Sequence, residues 1–200
     1  MASVTYDFTQ ANGAASGWTV GAGGGLIVTS NKISSDSNTT RSGYRAHGLA
    51  LASDIFQIDV DIDAPLIVGN GGANVWLLNS GTFNGWGIFV GNAVHIQKVT
   101  GGIQSNLSNW GRPGEGSAGN LANHLKFTRT AAGDMEVDLD GSWWGVASDS
   151  AYPASTLDSV ILMVRNAGSP TYESTIDNLV ISDAIGAAPS AIPTLWGLPA

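Results

Sequence analysis

Ile55-Phe56-Gln57-Ile58-Asp59-Val60-Asp61-Ile62-Asp63 decides the fold of this chain. Apolar Phe56, Ile58, Val60 and Ile62 alternate with polar Gln57, Asp59, Asp61 and Asp63. Successive side chains of a strand point to opposite faces, so this period of two describes a half-buried strand. The same pattern continues along the chain. Residues 74–79 and 85–90 are apolar runs joined by Ser80-Gly81-Thr82-Phe83-Asn84, and residues 94–99 follow the Gly91-Asn92 turn, a hairpin signal. Residues 124–130 alternate, turn at Ala131-Ala132-Gly133-Asp134 and return over 135–140. Asp140-Gly141 turns again into Ser142-Trp143-Trp144-Gly145-Val146, and residues 157–165 and 174–182 supply two more strands. No stretch carries a helical apolar period over helical length. Many short strands punctuated by Gly, Asn and Asp predict an all-β, two-sheet antiparallel β-sandwich.

Composition agrees. The chain has 200 residues, enough for one domain with a core that needs neither disulfide nor metal. It has no cysteine, which excludes thiolate zinc sites and cysteine nucleophiles. Only 12% of residues are charged, about half the globular norm of about 25%, and 27 glycines point to loops and strands. A net charge of −8 and eight scattered Lys and Arg argue against nucleic acid as a partner. No run approaches the ~20 apolar residues of a membrane span, and Met1-Ala2-Ser3-Val4 shows no secretion signal. Synthesis and folding in a cytoplasm are expected.

Composition changes at residue 184. Residues 1–183 are expected to form the sandwich and residues 184–200 an extended Pro/Ala-rich C-terminal arm. The arm carries Ile192, Leu195, Trp196 and Leu198, which are costly to leave in water and are expected to bind a partner.

Three segments resemble the concanavalin A-like lectin/glucanase (laminin-G-like) jelly rolls, of the kind also found in phage virion proteins. The first is Tyr6-Asp7-Phe8-Thr9 with Gly17-Trp18-Thr19-Val20 and Leu26-Ile27-Val28. The second is the hairpin from His124-Leu125-Lys126-Phe127-Thr128-Arg129 to Val137-Asp138-Leu139-Asp140-Gly141. The third is Ser174-Thr175-Ile176-Asp177-Asn178-Leu179-Val180-Ile181-Ser182. The resemblance implies a jelly roll whose closing strand lies beside its first. It says little of function, because that fold hosts glycosidases, sugar-binding modules, adhesins and virion proteins.

Candidate chemistry is sparse. Glycosidases of that group carry Glu-x-Asp-x-Glu on one strand, and the nearest match is Asp59-Val60-Asp61-Ile62-Asp63. Every carboxylate there is Asp, one methylene shorter, so a solvated outer face or oxygen ligands for Ca²⁺ compete with catalysis. The three glutamates, Glu115, Glu136 and Glu173, lie elsewhere, and His47, His95 and His124 lack metal-ligand spacing. Gly21 to Gly25 lacks the helix and Lys of a phosphate loop and reads as a hairpin turn. Asp7 and Asp177 are read as turn or edge residues before a Ca²⁺ pair. Trp18, Trp76 and Trp86 are assigned to the core. Trp110, Trp143 and Trp144 are the candidates for stacking on a sugar, with at most one of the adjacent pair in the core.

The expected function is a non-enzymatic phage structural protein, of the capsid decoration, cement or head-fibre type, located in the virion. It would assemble as a homo-oligomer with a major capsid protein or tail component through Ile192, Leu195, Trp196 and Leu198. The alternative is a carbohydrate-binding module or tail adhesin that takes a glycan on Trp110, Trp143 and Trp144. A glycosidase ranks last, and no cofactor, metal, nucleic acid or membrane is expected.

Overall fold

The computed structural model describes residues 2–21, 23–35, 40–51, 53–66, 71–113, 115, 117, 119–166 and 172–183. The chain begins with β1 (Ser3–Tyr6), β2 (Gly13–Ala14), β3 (Thr19–Val20), β4 (Ile27–Thr29), β5 (Lys32–Ser34) and β6 (Arg41–Ala46). The longer strands β7 (Phe56–Pro65), β8 (Gly72–Leu78), β9 (Gly85–Val90) and β10 (Ala93–Thr100) follow. Then come β11 (Ile103–Asn106), β12 (Trp110–Gly111), β13 (Asn120–Arg129), β14 (Asp134–Leu139) and β15 (Ser142–Ser148). A 3₁₀ turn over Ala154–Thr156 precedes β16 (Ser159–Arg165) and β17 (Thr175–Ser182). Among the described residues there is no helix long and apolar enough to cross a membrane.

Sheet A runs β15-β14-β13-β7-β17-β5-β4-β2, with β1 also on β17, and sheet B runs β11-β10-β9-β8-β16-β6-β3, with β12 also on β10. Every pairing is antiparallel. The expected two-sheet sandwich is therefore observed, with β1 against β17 as the resemblance implied.

The alternation in β7 does what its period requires. Phe56, Ile58, Val60 and Ile62 are buried, while Asp59, Asp61 and Asp63 stand half-buried on the outer face. The inner residues join one core with Val75, Leu77, Trp86, Ile88 and Leu162 of sheet B. Burying each such side chain contributes roughly 1.5–3 kcal/mol, which is why register is strongly fixed here. The turn at Asp140-Gly141 has φ of 54° and 79°, the left-handed pair that a two-residue hairpin with primed geometry requires.

Two expectations are corrected. Gly21 to Gly25 is no hairpin turn, because β3 before it belongs to sheet B and β4 after it to sheet A. It is the crossing between sheets, where Gly23 has a φ of 82° and a Cβ on it would run into the Thr40 carbonyl, so the two segments approach too closely for a side chain there. Trp76 lies outside the core between the sheets. It sits on the outer face of sheet B with Leu78 and Val99 in a second apolar cluster. Alternation along β8 dictates this, since Ala73, Val75 and Leu77 already occupy the inner face.

The arm expected over residues 184–200, with Ile192, Leu195, Trp196 and Leu198, lies outside the described residues.

Candidate sugar-binding face

The outer side of sheet A is the polar face of the molecule. Its middle is set by β7 and β13, paired so that Asp61 lies opposite His124 and Asp59 opposite Lys126. His124 Nδ1 donates to Asp61 Oδ1 at 2.8 Å, and Asn178 Nδ2 donates to Asp61 Oδ2 at 2.7 Å. Asn178 reaches Asp61 from a bulge in β17, where φ is 47° and the register with β7 shifts between Asp177 and Val180. Burial alone would raise the Asp61 carboxyl. The hydrogen bonds from Asn178 and His124, with the charges of His124 and Lys32, outweigh it and hold the group below the usual carboxylate value.

Asp140, at the β14–β15 turn, extends the network. His124 N donates to its Oδ1 at 2.7 Å and Asn123 Nδ2 to its Oδ2 at 2.6 Å. Asn123 is in turn held by Arg112, whose Nη2 donates to Asn123 Oδ1 at 2.6 Å. Lys32, Asp61, Asp63, His124, Asp140 and Asp177 border a shallow cavity of about 250 Å³ on this face. Among the described residues no three His, Asp or Glu side chains are arranged to hold a metal ion.

β15 forms the edge of the same sheet and carries the aromatic element. Val137 pairs with Gly145 but Asp138 pairs with Trp143, so Trp144 is the extra residue of a bulge. The bulge turns Trp143 outward, 60% exposed, and leaves Trp144 packed on the core. Trp143, Asp138, Lys126 and Asp59 follow one another across four strands. At about 4.8 Å per strand, the indole stands roughly 10 Å from the strand that carries His124.

Of the three expected stacking residues, only Trp143 is therefore presented to solvent as a ring. Trp110, on β12, lies across Gly145 of β15, where an added Cβ would be 2.3 Å from its ring. It closes the edge between the two sheets, and Trp144 packs against the same core. The structure does not bring the three together as one platform.

The other residues singled out in the sequence fall into structural places. Asp59, Asp61 and Asp63 share one face, but His124 and Asn178 hold Asp61 ionised, the opposite of what a general acid needs. Asp7 accepts from Thr9 N and Thr9 Oγ1 in a turn, as read from the sequence. His47 is buried between Leu157 O and Leu49 N, and His95 stacks on Phe89.

Sheet B offers a contrast. Its outer face holds a hollow of about 220 Å³ lined mostly by apolar groups, among them Trp76, Leu78, Phe83, Ile161 and Met163. Its polar groups are largely occupied with one another. Trp76 Nε1 and Asn74 Nδ2 both donate to Gln97 Oε1, at 2.9 and 2.8 Å, and Gln97 Nε2 donates to Asn106 Oδ1. Sequence reasoning missed this hollow, although outward glycines at Gly85 and Gly87, where Leu78 and Trp76 lean across β9, were a readable sign.

No family model and no curated protein matches this chain. Solved structures do. The carbohydrate recognition domain of Emp47p is 13% identical, with a TM-score of 0.65 over 90% of this chain and 94% of that one. The potassium-bound carbohydrate recognition domain of Emp46p is 15% identical, with a TM-score of 0.64 over 86% and 90%. The carbohydrate binding module CBM66 from Bacillus subtilis is 20% identical, with a TM-score of 0.57 over 83% and 96%. At these identities the likeness establishes the lectin-type β-sandwich fold.

Proposed function

We propose that this chain is a non-catalytic carbohydrate-binding domain whose sugar face is the outer side of sheet A. The observation that carries the reading is the pairing, on one face, of a single exposed indole with a field of fixed hydrogen-bonding groups. Trp143 offers a flat apolar surface, and Asp61, His124, Asp140 and Lys126 offer donors and acceptors within reach of the same ligand. Sugar sites combine those two elements, because a pyranose has an apolar face and a polar edge. Of the three neighbours named above, two are carbohydrate recognition domains and one a carbohydrate binding module, which supports the same reading.

The charge of the face narrows the ligand. Asp59, Asp61, Asp63, Asp138, Asp140 and Asp177 surround it with few cations, so sialylated or sulfated glycans would be repelled. A neutral glycan fits. The capsid or tail reading ranks second, since it rests on residues 184–200 and none of the three neighbours is described as a virion component.

A glycan array followed by titration calorimetry tests this. Saturable binding of neutral glycans is expected, weakened at least tenfold by Trp143→Ala and by His124→Ala in folded protein. Absence of binding to any glycan, or binding indifferent to Trp143→Ala, would overturn it. Selective capture of anionic glycans would overturn the ligand class.

A further inference from the structure

The hollow on sheet B needs a different kind of occupant. Ile161 and Met163 line it half-buried above the buried Trp76, Leu78 and Val99, and exposed Tyr44 and Phe83 stand at its margin. Such a surface is mostly apolar and offers a sugar few donors and acceptors. It matches aliphatic and aromatic side chains presented on a peptide.

The chain carries a segment with matching chemistry. Ile192-Pro193-Thr194-Leu195-Trp196-Gly197-Leu198 holds four apolar side chains within seven residues and no charge. Its starting point is also fixed. β17 ends with Ser182 opposite Gln57, and Asp183 N donates to Ala2 O. That end of sheet A is tied to the Phe83 end of the hollow through one residue. Arg129, opposite Phe56, donates to Tyr152 O, and Tyr152 Oη bonds Thr100 Oγ1, next to Val99. Nine residue steps separate Asp183 from Ile192 and span up to roughly 30 Å when extended, against sheets stacked about 10 Å apart. The segment can therefore round the end of the sandwich. A tether of this length holds it at an effective concentration in the millimolar range, far above that of a neighbouring molecule in dilute solution.

We infer that residues 192–198 dock in cis onto the outer face of sheet B, over Trp76, Leu78, Ile161 and Met163. This inference does not depend on the sugar face of sheet A.

Because the chain has no cysteine, a pair introduced by mutation reports cleanly. The full chain carrying Phe83→Cys and Leu195→Cys is oxidised at low micromolar concentration and compared with one carrying Lys126→Cys and Leu195→Cys, whose first cysteine lies on sheet A. Phe83 and Lys126 are both accessible, so neither substitution should disturb folding. Docking in cis gives an intramolecular disulfide in the first variant at least tenfold more than in the second, and adding Trp196→Asp removes the preference. Covalent dimers in place of the internal bridge would assign the hollow to a second copy's arm. Equal yields in the two variants would mean no docking at all. Either result overturns the inference.

Discussion

Arg112 Nη2 sits 2.6 Å from Asn123 Oδ1, with the guanidinium sealed where the two sheets meet. The same group donates to Ala64 O and Leu121 O of sheet A and to Gly91 O at the β9–β10 turn of sheet B. Burial lowers its pKa to about 10, against the charges of Asp63 and Asp140, so it stays a cation at neutral pH. It acts as a clamp from a Gly-rich loop onto both layers.

Arg112→Met should therefore destabilise the protein by about 3 kcal/mol, because buried carbonyls and the Asn123 amide lose their donor. Thermal unfolding should fall by roughly 6–12 °C. Arg112→Lys should not rescue it, since one ammonium cannot span the same acceptors. A melting temperature within a degree of wild type would refute the clamp.

His47 sets a pH dependence. Its ring is buried, and that desolvation outweighs its hydrogen bond to Leu157 O and the charge of Asp158, so its pKa lies below 6.5. The unfolded chain then binds the proton first as pH falls. The contribution of His47 is full above pH 6.5 and declines below it, down to the folded value. Urea unfolding between pH 7 and 5 should show this slope, and His47→Asn should flatten it. An unchanged slope in the variant would assign it to other groups.

The two adjacent tryptophans should separate sharply. Trp143→Ala, at an exposed edge position, should change stability by less than about 0.5 kcal/mol. Trp144→Ala removes a ring packed on the core and should cost about 3 kcal/mol. Denaturant midpoints of the two variants check this, and similar losses would place Trp143 inside as well.

Gly87→Ala probes the floor of the sheet B hollow. A Cβ there would meet Val75 O at 2.2 Å and Trp76 Cδ1 at 2.4 Å. The β8 backbone at Val75 must shift together with the indole, at a cost of roughly 1–3 kcal/mol, with a shifted tryptophan emission spectrum. Wild-type stability and emission would show that Trp76 does not lie across β9.

The alternation of residues 56–62 made the fold readable, because a period of two has one physical meaning and the Gly91-Asn92 and Asp140-Gly141 turns punctuate it. Which outer face does what was far less legible. Trp76 looks like any core residue in a run as apolar as Val75-Trp76-Leu77-Leu78, and only the partner strands reveal that its side faces away from the core. Trp143 and Trp144 had to diverge, but the bulge that decides which turns outward depends on Asp138 across the sheet. Arg112 sits in a Gly-rich loop and gave no sign of being buried, since its acceptors are the Asn123 side-chain amide and three backbone carbonyls from separate segments. The strand Arg41–Ala46 was invisible because its short polar sequence carries no alternation.

The place of β17 in the middle of sheet A constrains how the molecule is made. It is flanked by β7 on one side and by β5 and β1 on the other, all much earlier in the chain. While the ribosome is still at work, those strands can only wait with unpaired edges, and the layer cannot close until translation has passed Ser182. Folding of this layer is then expected to be slow, with a nascent intermediate that is prone to aggregate and gains from chaperone protection.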